Sequence, residues 1–517
     1  HREAALGVGF DLVLYEKGKV RDEGSRRSLS RRIVAELDGS APAAAVAAGC
    51  GAESFSQPSY GPQFVILSFA NPGDSLACLE RVRATGGVAS ARPLLAKQKS
   101  KRLTPNDPRF AWSPANGDYQ WHLNNTGQNG SVIGHDVNIV DAWDRYLGSG
   151  VTIAIIDDGI EVTHPDLAAN VATDIDHDWN DATPDDPTPS SSFDDHGTSC
   201  AGIAAARGDN AIGISGAAPR ATLVGLRLIA ADTSAAEDAE ALAWRTDAID
   251  ISSNSWGQPD TGDDLYPLDP LVAAALANGV SEGRGGLGTI YVWAAGNGRD
   301  ENNGREEGDY SNYEGYNNAP ETISVGAVDY TARQAVYSES GANVLISAPS
   351  DAERFDPAIT TTTLVANGTY TDDFGGTSAA TPMVAGCVAL MLEANPALGW
   401  RDVQEILMRS AEKVDAASPG WTTNGGGFDV HHGSGAGLID ASAAVDLAEG
   451  WGNLPPQRSV TRAQNDIDLS LPDGDPVGVE RVFTFSEAGL RVEHALLTVR
   501  LDHSYRGDIA ITLTSPE

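Results

Sequence analysis

Four residues far apart in the chain stand where acyl chemistry could be done: Asp157, His196, Asn297 and Ser378. Ser378 lies in Gly375-Gly376-Thr377-Ser378-Ala379-Ala380-Thr381-Pro382, where two glycines permit close backbone approach. The small apolar run that follows, Met383 to Leu392, reads as a buried helix. Ser378 therefore falls at a helix N-terminus, where unpaired N–H groups and the dipole favour developing negative charge. A serine there is more often an ordinary cap than a nucleophile. The upstream residues change that weighing. Asp157 closes a continuous apolar strand, His196 precedes a helix of small residues, and Asn297 ends another buried strand before Gly298. A hydroxyl, an imidazole and a carboxylate are the nucleophile, general base and orienting group of covalent catalysis.

Elements to position them are legible. Val151-Thr152-Ile153-Ala154-Ile155-Ile156 reads as a strand buried on both faces, and similar runs occur at 221–228, 249–252, 289–294 and 322–328. Helical stretches at 198–206, 271–277, 378–393 and 400–410 separate several of them, which predicts an α/β domain around a mostly parallel sheet over residues 103–455. Residues 1–102 read as a smaller α+β domain, with strand-like segments at 10–15 and 64–69 flanking Ala-rich stretches. After Pro455-Pro456 the alternation in Arg481-Val482-Phe483-Thr484-Phe485 and at 495–501 predicts an all-β segment over 456–517, short for an independent sandwich.

Composition narrows the partners. The formal charge is −37, and it is unevenly placed: residues 1–102 hold fifteen Lys+Arg against ten Asp+Glu, leaving twenty against sixty-two in the remainder. So acidic a body is a poor partner for nucleic acid and suits calcium, cationic substrates or plain solubility. No run of about 18 apolar residues implies a membrane span. The chain opens at His1, as a trimmed chain would, without a signal peptide. Four cysteines are too few for a disulfide framework; Cys200 and Cys387 read as buried thiols, and Cys50 could pair with Cys78.

Several segments resemble the subtilisin family, and within it the kexin/furin branch of proprotein-processing proteases. They are Ile156-Asp157-Asp158-Gly159-Ile160-Glu161, His196-Gly197-Thr198-Ser199-Cys200-Ala201-Gly202, Ser255-Trp256-Gly257, Glu282-Gly283-Arg284-Gly285-Gly286-Leu287-Gly288 and Gly376-Thr377-Ser378-Ala379-Ala380. The resemblance covers about residues 103–517 and is looser over the first hundred. It implies a three-layer subtilisin-like domain and a secreted, calcium-dependent serine endopeptidase. In that reading Ser378 attacks the scissile carbonyl, His196 relays the proton, Asp157 orients the imidazole, and Asn297 with the Ser378 N–H binds the oxyanion.

The resemblance also implies specificity for protein or peptide substrates with basic P1 and P2 residues. Asp260 and Glu314 are the acids for P1, alongside Ser255, Trp256 and Gly257; Asp158, Asp194 and Asp195 are those for P2. The branch usually carries aspartate where this chain has Glu314, so a longer reach is expected. Acids for P4 do not align cleanly around Glu237, Asp238 and Tyr266, which implies weaker selection there. Three calcium sites are implied: Asp107, Asp166 and Asn210 with carbonyls of Arg207, Ile212 and Ile214; Asp260, Asp309 and Glu339; and Asp178, Asp181, Asp185 and Asp186. By the same resemblance, residues 1–102 are a prosegment acting as intramolecular inhibitor and folding aid. Lys99-Ser100-Lys101-Arg102 offers a self-cleavage site between Arg102 and Leu103, and residues 456–517 are the start of a P domain. The competing expectations are a broad-specificity secreted subtilisin and a silent calcium-stabilised binding scaffold.

Overall fold

Continuous apolar runs become the strands of one parallel sheet. The structure is a computed structural model and describes residues 13–15, 26–96, 104–111, 119–181, 186–262, 264–299, 308–352, 357–465, 469–471, 474–475, 477–487, 489–504 and 509–515. The chain divides into two units, His1–Lys101 and Arg102–Glu517.

In the first unit, β1 (Val13–Tyr15), β2 (Arg26–Leu37), β3 (Ser54–Ser56), β4 (Phe64–Ser68) and β5 (Val88–Ala96) form an antiparallel sheet. Helices α1 (Ala43–Cys50) and α2 (Pro72–Arg83) accompany it. Asn71 caps α2 by accepting the Asp74 N–H, and Pro72 fills the first position, where its missing N–H costs nothing. Ile33, Val46, Val65, Leu67 and Val82 are fully buried. Cys50 and Cys78 are free thiols, so the pairing that the sequence left open is not made.

The second unit carries α3 (Val140–Trp143), β6 (Thr152–Asp157), β7 (His177–Asp178), α4 (His196–Ala205), β8 (Thr222–Arg227), α5 (Ala235–Leu242), β9 (Ile251–Asn254), α6 (Pro270–Gly286) and β10 (Ile290–Ala294). It continues through β11 (Thr322–Val328), β12 (Val344–Pro349), β13 (Ile359–Thr362), β14 (Tyr370–Phe374), α7 (Thr377–Ala394) and α8 (Trp400–Ser410) to β15 (Thr422–Thr423), β16 (Asp429–Val430) and α9 (Ala441–Ala448). Its main sheet runs β12-β11-β10-β9-β6-β8-β7, and every pairing in it is parallel. The chain leaves β6 towards β8 and returns to its other side at β9. That reversal of winding opens a crevice at the carboxyl ends of the strands, where such sheets bind ligands.

Helices cover both faces of the sheet. α4 and α7, with Met383, Val384 and Leu390 fully buried, pack with α8 and α9 on one face. α5 and α6 pack Leu242, Val272 and Leu276 against Ile156, Tyr291 and Trp293 on the other. Each such side chain contributes about 1.5–3 kcal/mol when removed from water. α7 is long and apolar enough to cross a membrane by composition, but 83% of it is buried inside the fold, as a core helix is.

One expectation is corrected. Among the described residues from 456 to 515 there is no strand, and Val482, Phe485, Val492 and Leu496 are exposed. Alternating side chains become a strand only against partner strands, and none pairs with the described residues of this stretch.

Candidate active site

Three neighbouring strands aim their carboxyl ends at one crevice. β6 ends in Asp157, β9 runs into Ser255-Trp256-Gly257, and β10 runs into the loop carrying Asn297. Two helices start there: α4 begins at His196 and α7 at Thr377, one residue before Ser378.

Asp157 is 1% exposed, and its carboxylate receives His196 Nδ1 at 2.9 Å and 3.0 Å through its two oxygens. An Nδ1–H so held leaves Nε2 with the lone pair in the neutral ring. The Ser378 hydroxyl donates to the Ser255 carbonyl at 3.3 Å. Catalysis requires it to exchange that acceptor for His196 Nε2, a bond that substrate-free sites often hold open. The Ser378 carbonyl accepts from Ser255 Oγ at 3.2 Å and Cys200 Sγ at 3.6 Å. The helical donor that would otherwise reach it belongs to residue 382, and Pro382 has no N–H. Burial pushes the Cys200 thiol up, which keeps it a neutral donor.

Asn297 is exposed to the crevice. Its Oδ1 accepts Thr377 N–H at 2.8 Å and Thr377 Oγ1 at 3.0 Å. A backbone N–H can only donate, so this network fixes the amide with Nδ2 as its free donor. The Ser378 N–H, in the first turn of α7, is a second donor without a helical acceptor. Gly376 holds φ +75° beside Asn297 Oδ1, a conformation that favours glycine.

Beside this centre Glu314 is buried, with Oε1 accepting the Gln258 N–H at 2.6 Å. Its Oε2 has no hydrogen-bond partner and lies 2.9 Å from where a Cβ on Gly257 would stand. Burial, then the charges of Asp260 and Asp309, push this carboxyl up to about 7. A glycine at 257 thus leaves a gap over a bare carboxylate oxygen.

Asp260, Asp309 and Glu339 converge so that one ligand atom from each lies within 4.8 Å of the others. Burial and the neighbouring acids push Glu339 up to about 9, so the cluster demands positive charge, and oxygen donors fit calcium. The same cluster grips the oxyanion loop: Asp260 Oδ2 accepts Asn297 N–H and Glu339 Oε1 accepts Gly298 N–H, each at 2.9 Å. A second fit is the loop through residues 207–214. Asp107 accepts the Asp209 N–H at 2.7 Å, while Asp166 accepts Asn210 Nδ2 at 2.7 Å and the Ile214 N–H at 2.9 Å. Burial pushes both carboxyls up, Asp166 to about 6. Arg207, Ile212 and Ile214, whose carbonyls the resemblance adds to this set, belong to that loop.

The third acidic cluster is differently used. Asp178 and Asp181 both accept from buried Arg227 Nη1, at 3.0 Å each, and Arg227 Nη2 reaches Asp194 at 3.1 Å. Asp186 accepts the Thr188 N–H, and Asp185 lies outside the described residues, as do Arg102 and Leu103. A guanidinium already supplies the charge those acids require, so the set does not ask for a cation in addition. Sequence reasoning missed Arg227; its only signal was a lone basic residue closing the apolar run of β8.

The acids read for P2 are also engaged. Asp158 accepts His196 and Gly197 N–H at 3.1 Å and 2.7 Å, capping α4, and burial with the adjacent Asp157 charge pushes it well above the usual carboxylate range. Asp195 accepts Thr363 Oγ1 and Asn367 Nδ2.

Comparison with known proteins agrees with this geometry. A model described as the subtilase family matches residues 148–452. A PC3-like endoprotease of Hydra vulgaris is 38% identical over 423 residues, 80% of this chain and 57% of that protein. Human furin is 36% identical over 433 residues, 82% of this chain and 52% of the relative. The chain thus spans about half the length of the curated relatives it matches. The crystal structure of a serine protease of Aeromonas sobria superposes with a TM-score of 0.60 at 30% identity, covering 65% of this chain and 68% of that one.

Proposed function

This chain belongs to the subtilase family, and from that footing we propose that it is a serine endopeptidase that cuts peptide bonds after basic residues. The observation that carries the reading is the buried, unpartnered Glu314 Oε2 beneath Gly257, beside an intact set of Asp157, His196, Asn297 and Ser378. A P1 arginine or lysine brings the charge that this oxygen lacks.

Ser378 attacks the scissile carbonyl as His196 Nε2 takes its proton, and the imidazolium is held by Asp157. The oxyanion that forms is received by Asn297 Nδ2 and the Ser378 N–H, the latter favoured by the N-terminal dipole of α7. His196 then returns the proton to the leaving amine, and water repeats the sequence on the acyl-enzyme. A basic P2 residue belongs to the same reading, supported by the likeness to furin, with Asp158 as its acid. Because Asp158, Asp194 and Asp195 already accept internal hydrogen bonds, P2 contributes less than P1. Calcium belongs to the reading at the Asp107/Asp166/Asn210 and Asp260/Asp309/Glu339 clusters, where it would supply structural charge. So does a zymogen that cuts itself after Arg102 and is secreted.

The test compares fluorogenic peptides ending Lys-Arg, Ala-Arg and Leu-Leu, with Ser378→Ala as control. Preference for both arginine peptides over Leu-Leu, abolished in the variant, is the expected result. Equal cleavage of all three would sink the P1 assignment and leave a broad-specificity subtilisin.

A further inference from the structure

The turn that delivers Ser378 is held by residues outside the catalytic set. The Gly376 N–H donates to Asp351 Oδ1 at 2.9 Å, and the Gly376 carbonyl accepts Ser350 Oγ at 2.8 Å. Tyr337 Oη donates to the same Asp351 Oδ1 at 2.6 Å and sits 2.9 Å from Ser350 Oγ. The protons account for themselves: phenol to carboxylate, serine hydroxyl to carbonyl, amide to carboxylate, with none left over. Asp351 presses so closely that a Cβ on Gly375 would lie 2.1 Å from Oδ1, so only glycine fits there. The Tyr337 carbonyl also accepts the Arg299 N–H at 3.1 Å, two residues beyond Asn297. One residue therefore touches the loop of the oxyanion donor directly and, through Asp351 and Ser350, reaches the turn of the nucleophile.

We infer that Tyr337 and Asp351 are positioning residues that fix the Gly376 peptide, and through it the registry of Ser378 with Asn297. Resting on the reading of Ser378 as nucleophile, the inference makes Asp351 an acceptor and Tyr337 the group that aims it. Neither touches substrate. Thr377, whose N–H and hydroxyl meet Asn297 Oδ1, immediately follows the clamped peptide. Loosening the clamp moves both oxyanion donors relative to the attacking oxygen. Displacements of this size at a reacting centre cost rate out of proportion to their length.

The experiment uses the full chain as Asp351→Ala, Tyr337→Phe and Asp351→Asn, with three readouts. These are kcat and KM on an Arg-ending peptide, the second-order rate of Ser378 labelling by a fluorophosphonate probe, and the urea midpoint. Asp351→Ala and Tyr337→Phe should each lower kcat and labelling rate about tenfold or more, with KM within about twofold. Asp351→Asn keeps an oxygen that accepts from both donors and should recover to within about threefold of wild type. Wild-type rates in Asp351→Ala and Tyr337→Phe would overturn the inference. So would a loss confined to the urea midpoint or to the fraction of chains labelled, since that is what a purely structural contact gives. An unmutated chain that neither labels nor cleaves would instead bring down the nucleophile reading, and this inference with it.

Discussion

Asp157 grips His196 through both carboxylate oxygens, and the proton balance of the imidazole follows from that grip. Burial alone would lower the ring's pKa, but the Asp157 charge and hydrogen bond outweigh it and hold the value well above the ordinary one. A raised value keeps the ring protonated, and unable to take the serine proton, up to a higher pH. The rising limb of kcat/KM against pH should therefore fall above the ordinary imidazole value of about 6.5. Asp157→Asn should move that limb to lower pH while cutting kcat by about 10⁴, because the ring loses its charge partner and its tautomer. A limb unmoved in the variant would mean that another group sets it. At this scale the sequence was legible where chemistry and chain context coincide: Asp157 and Asn297 each followed an apolar strand, and His196 and Ser378 each opened a helix of small residues. Arg227 and Asp351 were not, because a buried arginine or a clamping aspartate has no local signature. Their partners lie far along the chain, from Asp158 to Asp194 for the one and at Tyr337 and Gly376 for the other.

Among the elements, α7 shows how one imino acid reorganises a site. Pro382 denies the Ser378 carbonyl its helical donor, and Ser255 Oγ, delivered by the end of β9, supplies the replacement. Ser255→Ala should thus cost about 1 kcal/mol in urea unfolding, since it leaves a partly buried carbonyl with only a thiol. Adding Pro382→Ala to that variant restores an N–H four residues on and should recover most of the loss. Stability unchanged by Ser255→Ala would dismiss the arrangement. The buried strands and α7 were plain in the sequence because parallel strands covered on both faces are apolar throughout. β2, reading Arg-Arg-Ser-Leu-Ser-Arg-Arg-Ile-Val-Ala-Glu-Leu, was not recognised, since its charged half offers no pattern before its partner strands are known. The β13–β14 hairpin hid in a run of threonines for the same reason. Beyond residue 455 the converse holds: the alternation is present, and among the described residues no strand forms from it.

On the scale of the whole molecule, charge is the main constraint. A chain of formal charge −37 repels itself, and general screening relieves that repulsion whatever salt is added. The acids at Asp107/Asp166 and at Asp260/Asp309/Glu339 are another matter. They are drawn together by the fold, three of them to within ligand distance, and loops that carry Asn297 and Ile214 hang on their oxygens. An ion that binds only the folded form adds stability as the logarithm of its concentration, about 2.7 kcal/mol at one hundred times its Kd. The two effects separate in one titration. After chelation the urea midpoint should fall, sodium chloride at matched ionic strength should restore only part of it, and calcium should restore the rest with a logarithmic dependence. Magnesium should substitute poorly, since it demands a smaller, more regular shell than these loops offer. Glu339→Gln and Asp107→Asn should each weaken the calcium dependence while leaving the sodium chloride response intact. If sodium chloride alone matched calcium, the clusters would be part of the general acidity, and the loop carrying Asn297 would owe its order to protein hydrogen bonds alone.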